Sequence, residues 1–242
     1  MSKPGADRRR AGEPESASPA RGAAMTSHRN LSLAAKRGMD VTGAALGIVA
    51  LSPVLAWTAL GALITQGLPI LFRHERLGLA GRPFTMLKFR TMSPPRRGQA
   101  WHRTDRQRIT RLGRLLRSTS IDELPELWNV LRGDMSLVGP RPLLAEYLDR
   151  YTPEELRRHD MRPGITGWAA VNGRHTLRFE DRLALDVWYV DNWSVWLDLK
   201  ILRTTVRQVL RRADVVTTQD FAEIDFPLRF RTALEESEAG RR

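Results

Sequence analysis

The chain has 242 residues, 42% of them hydrophobic, enough for one large domain with a real core. Thirty-nine Lys and Arg against twenty-seven Asp and Glu leave a formal charge of +12, which favours anionic partners: acidic lipid headgroups, phosphorylated substrates or nucleic acid. The absence of cysteine excludes disulfides and thiolate metal sites, and the five histidines lack the close spacing of a zinc site.

Met1 to Asn30 is rich in Pro, Gly, Ser, Ala and charge and reads as a disordered basic tail, with Arg8 to Arg10 a candidate contact for anionic lipid. From Val41 to Phe72 run thirty-two residues without a charged side chain, flanked by Lys36, Arg37 and Asp40 before and by Arg73, Glu75 and Arg76 after. About 20 apolar residues suffice to cross a bilayer. The run is too long and too far downstream for a cleaved signal peptide. Ser52-Pro53 divides it into arms of 12 and 19 residues, and the shorter arm makes about 18 Å of helix, roughly one leaflet. Pro53 frees carbonyls near Val49, which the Ser52 hydroxyl can solvate. Cations on both flanks suit a re-entrant helix-break-helix, and a kinked single span competes with it.

Phe84 to Met92 alternates as a short strand, with Lys88 and Arg90 on one face and Leu87 and Phe89 on the other: an anion site, or a solvated edge guarded by lysine. Pro94 to Gly98 reads as an exposed loop. Arg106 to Arg117 sets Ile109, Leu112, Leu115 and Leu116 among Arg108, Arg111, Arg114 and Arg117, as in a basic amphipathic helix at a membrane interface or a surface helix on a core.

Asp122 and Glu123 follow at the start of a further helix, whose apolar face is Leu124, Leu127, Trp128 and Leu131 and whose first turn holds Pro125. Free amides and the macrodipole there would hold Asp122 as an anion, available as a nucleophile, with Glu123 able to hold a divalent cation. The ordinary alternative is a capping box, since Ser120 and Glu123 stand in the S-x-x-E relation. Arg141 lies between Pro140 and Pro142, which fix its backbone, and a guanidinium grips phosphate bidentately. Near the C-terminus Leu199, Leu202, Val206, Val209 and Leu210 form an apolar stripe beside Lys200, Arg203, Arg207 and Arg211. Trp188, Tyr189, Trp193 and Trp196 precede it, as an interfacial belt or as core. Beyond about Arg212 a tail carries an apolar patch, Phe226 to Phe230.

The run DELPELWNVLRGDMSLVGPRP, Asp122 to Pro142, with TMLKFRTM before it and MRPGITGWAAVNGR after it, resembles the bacterial sugar transferase family. These are monotopic phosphoglycosyl transferases that start glycan assembly on a polyprenyl phosphate, and the resemblance covers roughly Lys36 to Arg211. It implies an α/β fold, mainly α with few short strands, and a re-entrant membrane helix broken at Ser52-Pro53 with interfacial amphipathic helices. The expected units are a tail over 1–30, the membrane helix over 31–73, a catalytic domain over 74–211 on the cytoplasmic face of the bacterial inner membrane, and a second tail over 212–242.

The implied reaction moves a sugar 1-phosphate from a UDP-sugar to polyprenyl (undecaprenyl) phosphate, releasing UMP, as the first membrane step of exopolysaccharide, capsule, O-antigen or glycoprotein glycan assembly. Asp122 would form the covalent intermediate and Glu123 would hold Mg²⁺. Arg117, Arg141, Lys88 and Arg162 of the RPGITG motif are the candidate phosphate contacts. Anionic lipids are expected partners, a homodimer stays open, and nucleic acid is not expected. A nucleic-acid binder would leave the uncharged run without a purpose, and the intact Asp122-Glu123 pair argues against a non-catalytic membrane scaffold.

Overall fold

The computed structural model describes residues 19–94, 108–173 and 177–211. The Arg8 to Arg10 cluster, residues 95–98 of the expected loop, the first two residues of the expected basic helix and the C-terminal patch Phe226 to Phe230 lie outside the described residues.

Helix α1, Pro19–Gln66, takes in the last part of the expected N-terminal tail and continues through Pro53. Proline has no amide for the carbonyl four residues back, and the Ser52 hydroxyl donates to that carbonyl, Val49 O, at 2.8 Å. Helical bonding thus resumes on both sides of the expected break, and the bond missing at Pro53 is the place where the helix axis can bend. Lys36, Asp40 and Ala44 are buried, spaced by four residues so that they share one face. Further along, Thr58 and Ala62 are buried too. Val49, Trp57 and Ile64 on other faces are 72–74% exposed. Over Ser32–Gln66 the helix is long and apolar enough to cross a membrane.

The second arm of the uncharged run is shorter than its composition predicts. Gly67, in the left-handed region at φ 69°, closes α1 with its amide on Leu63 O at 3.0 Å. Leu71 and Phe72 instead open strand β1, Leu71–Leu77, which pairs antiparallel with β2, Pro83–Phe89. Helix α1 thus ends at Gln66, short of the end of the uncharged run. Arg90 lies past the end of β2, and its guanidinium donates to the carbonyls of Gln66 and Gly67, the second at 2.8 Å. Unpaired carbonyls at a helix C-terminus attract a cation, which takes Arg90 away from the anion face expected of it.

Helix α2, Arg111–Ser118, starts later than the expected Arg106, because the Thr110 hydroxyl caps it by accepting from Gly113 N at 2.9 Å. A Cβ at Gly113 would stand 2.0 Å from Thr91 O, so only glycine lets α2 press onto the chain leaving β2. Helix α3, Glu126–Arg132, is followed by β3, Ser136–Val138, which pairs in parallel with β4, Gly164–Thr166. Helix α4, Pro153–Leu156, makes one turn before β4, and after β4 come the short helix α5, Trp168–Val171, then α6, Phe179–Asp191, and α7, Val195–Arg211. The chain is mostly helical, with two two-stranded sheets among the described residues.

Three cores organise these elements. Ala44, Met86, Leu127, Val130 and Met135 join α1, β2 and α3, Leu77, Leu144, Tyr147, Phe179 and Leu183 join β1, the segment after Pro142 and α6, and Val138, Tyr189 and Ile201 join β3, α6 and α7. The apolar stripe read on α7 divides: Leu202 packs against the third core, while Leu199, Val206, Val209 and Leu210 are exposed, and so is Trp196. The buried face of α7 carries Asp198 and Ile201 instead. Asp198 accepts from Lys36 Nζ at 2.6 Å, Tyr189 OH at 2.6 Å and Trp193 Nε1 at 3.1 Å. Of the expected aromatic belt, Tyr189 is therefore core and Trp196 surface. Lys36 also donates to Val138 O at 2.9 Å, and Asp40 accepts from Ser136 Oγ and Leu137 N. The charged lead-in to the apolar run is thus bonded into the folded domain.

Candidate active site

The site is built where β2 meets α3. Asn129 is fully buried and uses its side-chain amide as a piece of strand edge, accepting from Leu87 N at 3.0 Å and donating to Thr85 O at 2.8 Å. That clamp fixes the register of α3 against β2 and brings Lys88 over the turn that precedes α3. The turn, Ile121–Glu123, is 3-10, and it is entered through Ser120 at φ 55°. A non-glycine residue there costs about 1 kcal/mol, and such strain collects at functional sites.

Asp122 and Glu123 therefore lie one turn ahead of the helix and not at its first residues. The capping box is absent: Ser120 makes no side-chain cap, and the Glu123 carboxylate reaches across to β2 instead. Glu123 Oε1 accepts from Lys88 Nζ at 2.6 Å and from Arg141 Nη2 at 3.2 Å. Burial works against the charge, but the two cations outweigh it and hold Glu123 far below the usual carboxylate range. Asp122 is buried, and burial followed by the neighbouring Glu123 charge raises its pKa, with Lys88 and Arg117 pulling the other way. The helix N-terminus predicted to keep Asp122 ionised is thus not the controlling influence. Burial is, followed by the local charges.

Lys88 has a second carboxylate, Glu126, at 3.2 Å. Glu126 is buried, and burial pushes its pKa up to about 7. The sequence holds a signal for it, a third acid three residues after Glu123 and so on the same side of the turn, which the reading of the dyad passed over.

Arg141 is held by its backbone. Its carbonyl accepts from Arg158 Nη2 at 2.6 Å, and Arg158 is itself fixed by Asp186 at 2.5 Å. Gly139 N donates to Thr166 O and Gly164 N to Pro140 O, so the VGPRP and RPGITG segments lock together through the β3–β4 pair. A Cβ at Gly164 would stand 2.0 Å from Gly139 N, which explains why glycine occurs there. The Arg141 side chain remains 47% exposed, free to reach a ligand.

The predicted phosphate contacts therefore divide. Lys88, Glu123 and Arg141 meet directly. Arg117 donates from Nε to Thr91 Oγ1 at 3.0 Å and acts on Asp122 by charge. Arg162 is directed elsewhere: its Nε donates to Gly133 O at 2.9 Å, beside Arg37, which donates to Val130 O and Leu131 O. These two arginines close the C-terminal end of α3.

Among the described residues no three His, Cys, Asp or Glu side chains form a ready-made metal cage. Both cationic contacts of Glu123 go to Oε1, leaving Oε2 as an ionised hard donor. That suits a cation such as Mg²⁺, which takes one or two carboxylates and completes its shell with substrate phosphates and water.

Residues 31–212 match the family described as bacterial sugar transferase. An uncharacterized sugar transferase of Bacillus subtilis, EpsL, is 51% identical over 175 residues, which cover 72% of this chain and 87% of the relative. The UDP-glucose:undecaprenyl-phosphate glucose-1-phosphate transferase of Caulobacter vibrioides is 46% identical, over 72% of this chain and 69% of its own. The enzyme of the same name from Escherichia coli is 39% identical over 71% of this chain, a match that spans 39% of that longer protein.

Proposed function

The chain belongs to the bacterial sugar transferase family, and on that premise we propose that it moves a sugar 1-phosphate from a UDP-sugar to a polyprenyl phosphate, releasing UMP through a covalent intermediate on Asp122. Two of its similar proteins are named for glucose 1-phosphate transfer to undecaprenyl phosphate. The observation that carries the reading is the pairing of a buried Asp122 with an adjacent Glu123 that Lys88 and Arg141 hold as the anion.

In the first step an Asp122 carboxylate oxygen attacks the sugar-bearing phosphorus, and the bond to the bridging oxygen breaks, so that the electron pair leaves on UMP. In the second step an oxygen of the polyprenyl phosphate attacks the same phosphorus and the Asp122 carboxylate departs unchanged. Two in-line displacements thus replace one direct reaction between two poor partners. Arg141, with its rigid backbone and half-exposed guanidinium, orients the diphosphate, and Lys88 offsets charge that builds up beside Glu123. Mg²⁺ bound through Glu123 would neutralise the diphosphate and the leaving group.

We read α1 as re-entrant, with the catalytic domain on the cytoplasmic face of the membrane. Both ends of its apolar stretch are tied to one folded domain: Lys36 is bonded to Asp198, and β1 is paired with β2 soon after Gln66. A spanning helix would carry its two ends about 30 Å apart, on opposite sides of the hydrocarbon core. The exposed apolar faces of α1 and α7 provide surface to sit in one leaflet, and the basic residues on α7 suit anionic headgroups.

Purified protein in detergent, given polyprenyl phosphate and a panel of UDP-sugars, should release UMP with one of them. Release from none of a broad panel would contradict the assignment.

A further inference from the structure

Three arginines flank members of the apolar cluster of Leu77, Leu144, Tyr147, Phe179 and Leu183 in sequence, Arg76 and Arg182 directly before Leu77 and Leu183 and Arg141 three residues before Leu144, and only Arg141 belongs to the site described above. Arg76 precedes Leu77 at the end of β1, where Leu77 N donates to Leu143 O at 3.0 Å, two residues beyond Arg141. Arg182 precedes Leu183 on α6, one turn before Asp186, and Asp186 grips Arg158, which in turn holds the Arg141 carbonyl. Three separate elements thus deliver Arg76, Arg182 and Arg141 to one place.

Arg76 and Arg182 are short of counter-charge. Arg76 contacts the His74 ring at 3.1 Å, and Arg182 stacks over Phe179 at 5.9 Å. Among the described residues neither forms a carboxylate ion pair, and the Nε of each is buried without a hydrogen-bond partner. Of the acids that act on them, Asp186 is bonded to Arg158 and Glu126 to Lys88, while Glu146 acts on Arg76 by charge. Burial first and then the charge of Arg141 lower both guanidiniums, Arg76 to about 10. Buried donors left unpaired are costly, and like charges held together cost more, unless an anion completes the group.

We propose that Arg76 and Arg182, together with Arg141, form a phosphate-binding cradle beside the Asp122-Glu123 turn that receives the phosphate ester of a substrate. The nature of that ester rests on the transferase reading. Two sources have the right chemistry, the nucleotide phosphate of the donor and the lipid phosphate of the acceptor.

The test is binding by calorimetry to full-length protein in detergent, with UMP, farnesyl phosphate in micelles and inorganic phosphate as probes, for wild type, Arg76→Gln and Arg182→Gln. Each variant should weaken UMP or farnesyl phosphate about tenfold or more, the loss expected for one charge-assisted contact. Loss for UMP places the cradle on the donor side, and loss for farnesyl phosphate on the acceptor side. Arg→Lys variants should fall in between, since charge remains while the fork is lost. Because no carboxylate loses a partner, Tm of the Gln variants should equal or exceed that of wild type. Wild-type affinity in both Gln variants would overturn the cradle, as would a loss of binding matched by a fall in Tm. Protein that releases no UMP from any UDP-sugar, yet shows Arg182-dependent phosphate binding, would defeat the transferase reading and support the cradle.

Discussion

Lys88 Nζ stands 2.6 Å from Glu123 and 3.2 Å from Glu126, so one ammonium serves two carboxylates three residues apart. The two acids respond oppositely: Glu123, touched also by Arg141, is held ionised, whereas burial lifts Glu126 to about 7. At Glu126 burial outweighs the shared cation, whereas at Glu123 Lys88 and Arg141 together outweigh burial.

Glu126 has a folded-state value above its ordinary 4.5, so its contribution to stability is fully present below pH 4.5 and is lost as the pH rises through about 7. Glu126→Gln resembles the neutral form at every pH. Thermal unfolding should therefore give a higher Tm for the variant than for wild type at pH 8, with the difference gone at pH 4. Equal Tm values across this range would mean that Glu126 is not raised.

Arg141→Lys keeps the charge near Glu123 but loses the planar fork. The expected result is a fall in kcat/KM for the UDP-sugar of about 10- to 100-fold, with Tm little changed because the backbone bonds of the turn persist. Unchanged kinetics would remove Arg141 from the phosphate contacts.

The acid limb of the rate of the first step should report Asp122. Burial and Glu123 raise its pKa, so activity should be lost on acidification above the ordinary 3.8, and Arg117→Gln, which removes a charge that lowers it, should move the limb to higher pH. A limb that stays in place in Arg117→Gln would break that link.

Membrane topology can be read from single cysteines at Leu33 and Glu75, both exposed, in a chain that has no native cysteine. In sealed vesicles both should react with a membrane-impermeant maleimide from the same side. Reaction from opposite sides would restore a spanning helix.

The chemistry was more legible in the sequence than the limits of the elements. Asp122, Glu123 and Arg141 stood out by residue type and by the rigid Pro-Arg-Pro setting, and Lys88 through the family resemblance, which also implied the mainly helical fold with few short strands; Lys88, Glu123 and Arg141 do meet. Tertiary partners decided the rest. Ser120 and Glu123 satisfy the capping pattern, yet Lys88 from β2 captures the carboxylate. Arg162 and Arg90 were read as phosphate donors or an anion face, but each finds helix carbonyls closer at hand. Phe72 looked like membrane because composition cannot mark where Gly67 turns the chain into a strand. Arg76 and Arg182 carry no motif of their own, and only the packing of distant elements brings their strand and helix toward Arg141.

The most direct test of the central claim is intact-protein mass spectrometry after rapid quenching of protein mixed with Mg²⁺ and the UDP-sugar that supports UMP release, with no acceptor present. Wild type should gain the mass of one phosphosugar and lose it when polyprenyl phosphate is added, while Asp122→Asn, whose amide is a poor nucleophile, should gain nothing and release no UMP. Normal turnover by Asp122→Asn, or transfer without any adduct on wild type at the shortest quench times, would contradict the covalent role of Asp122.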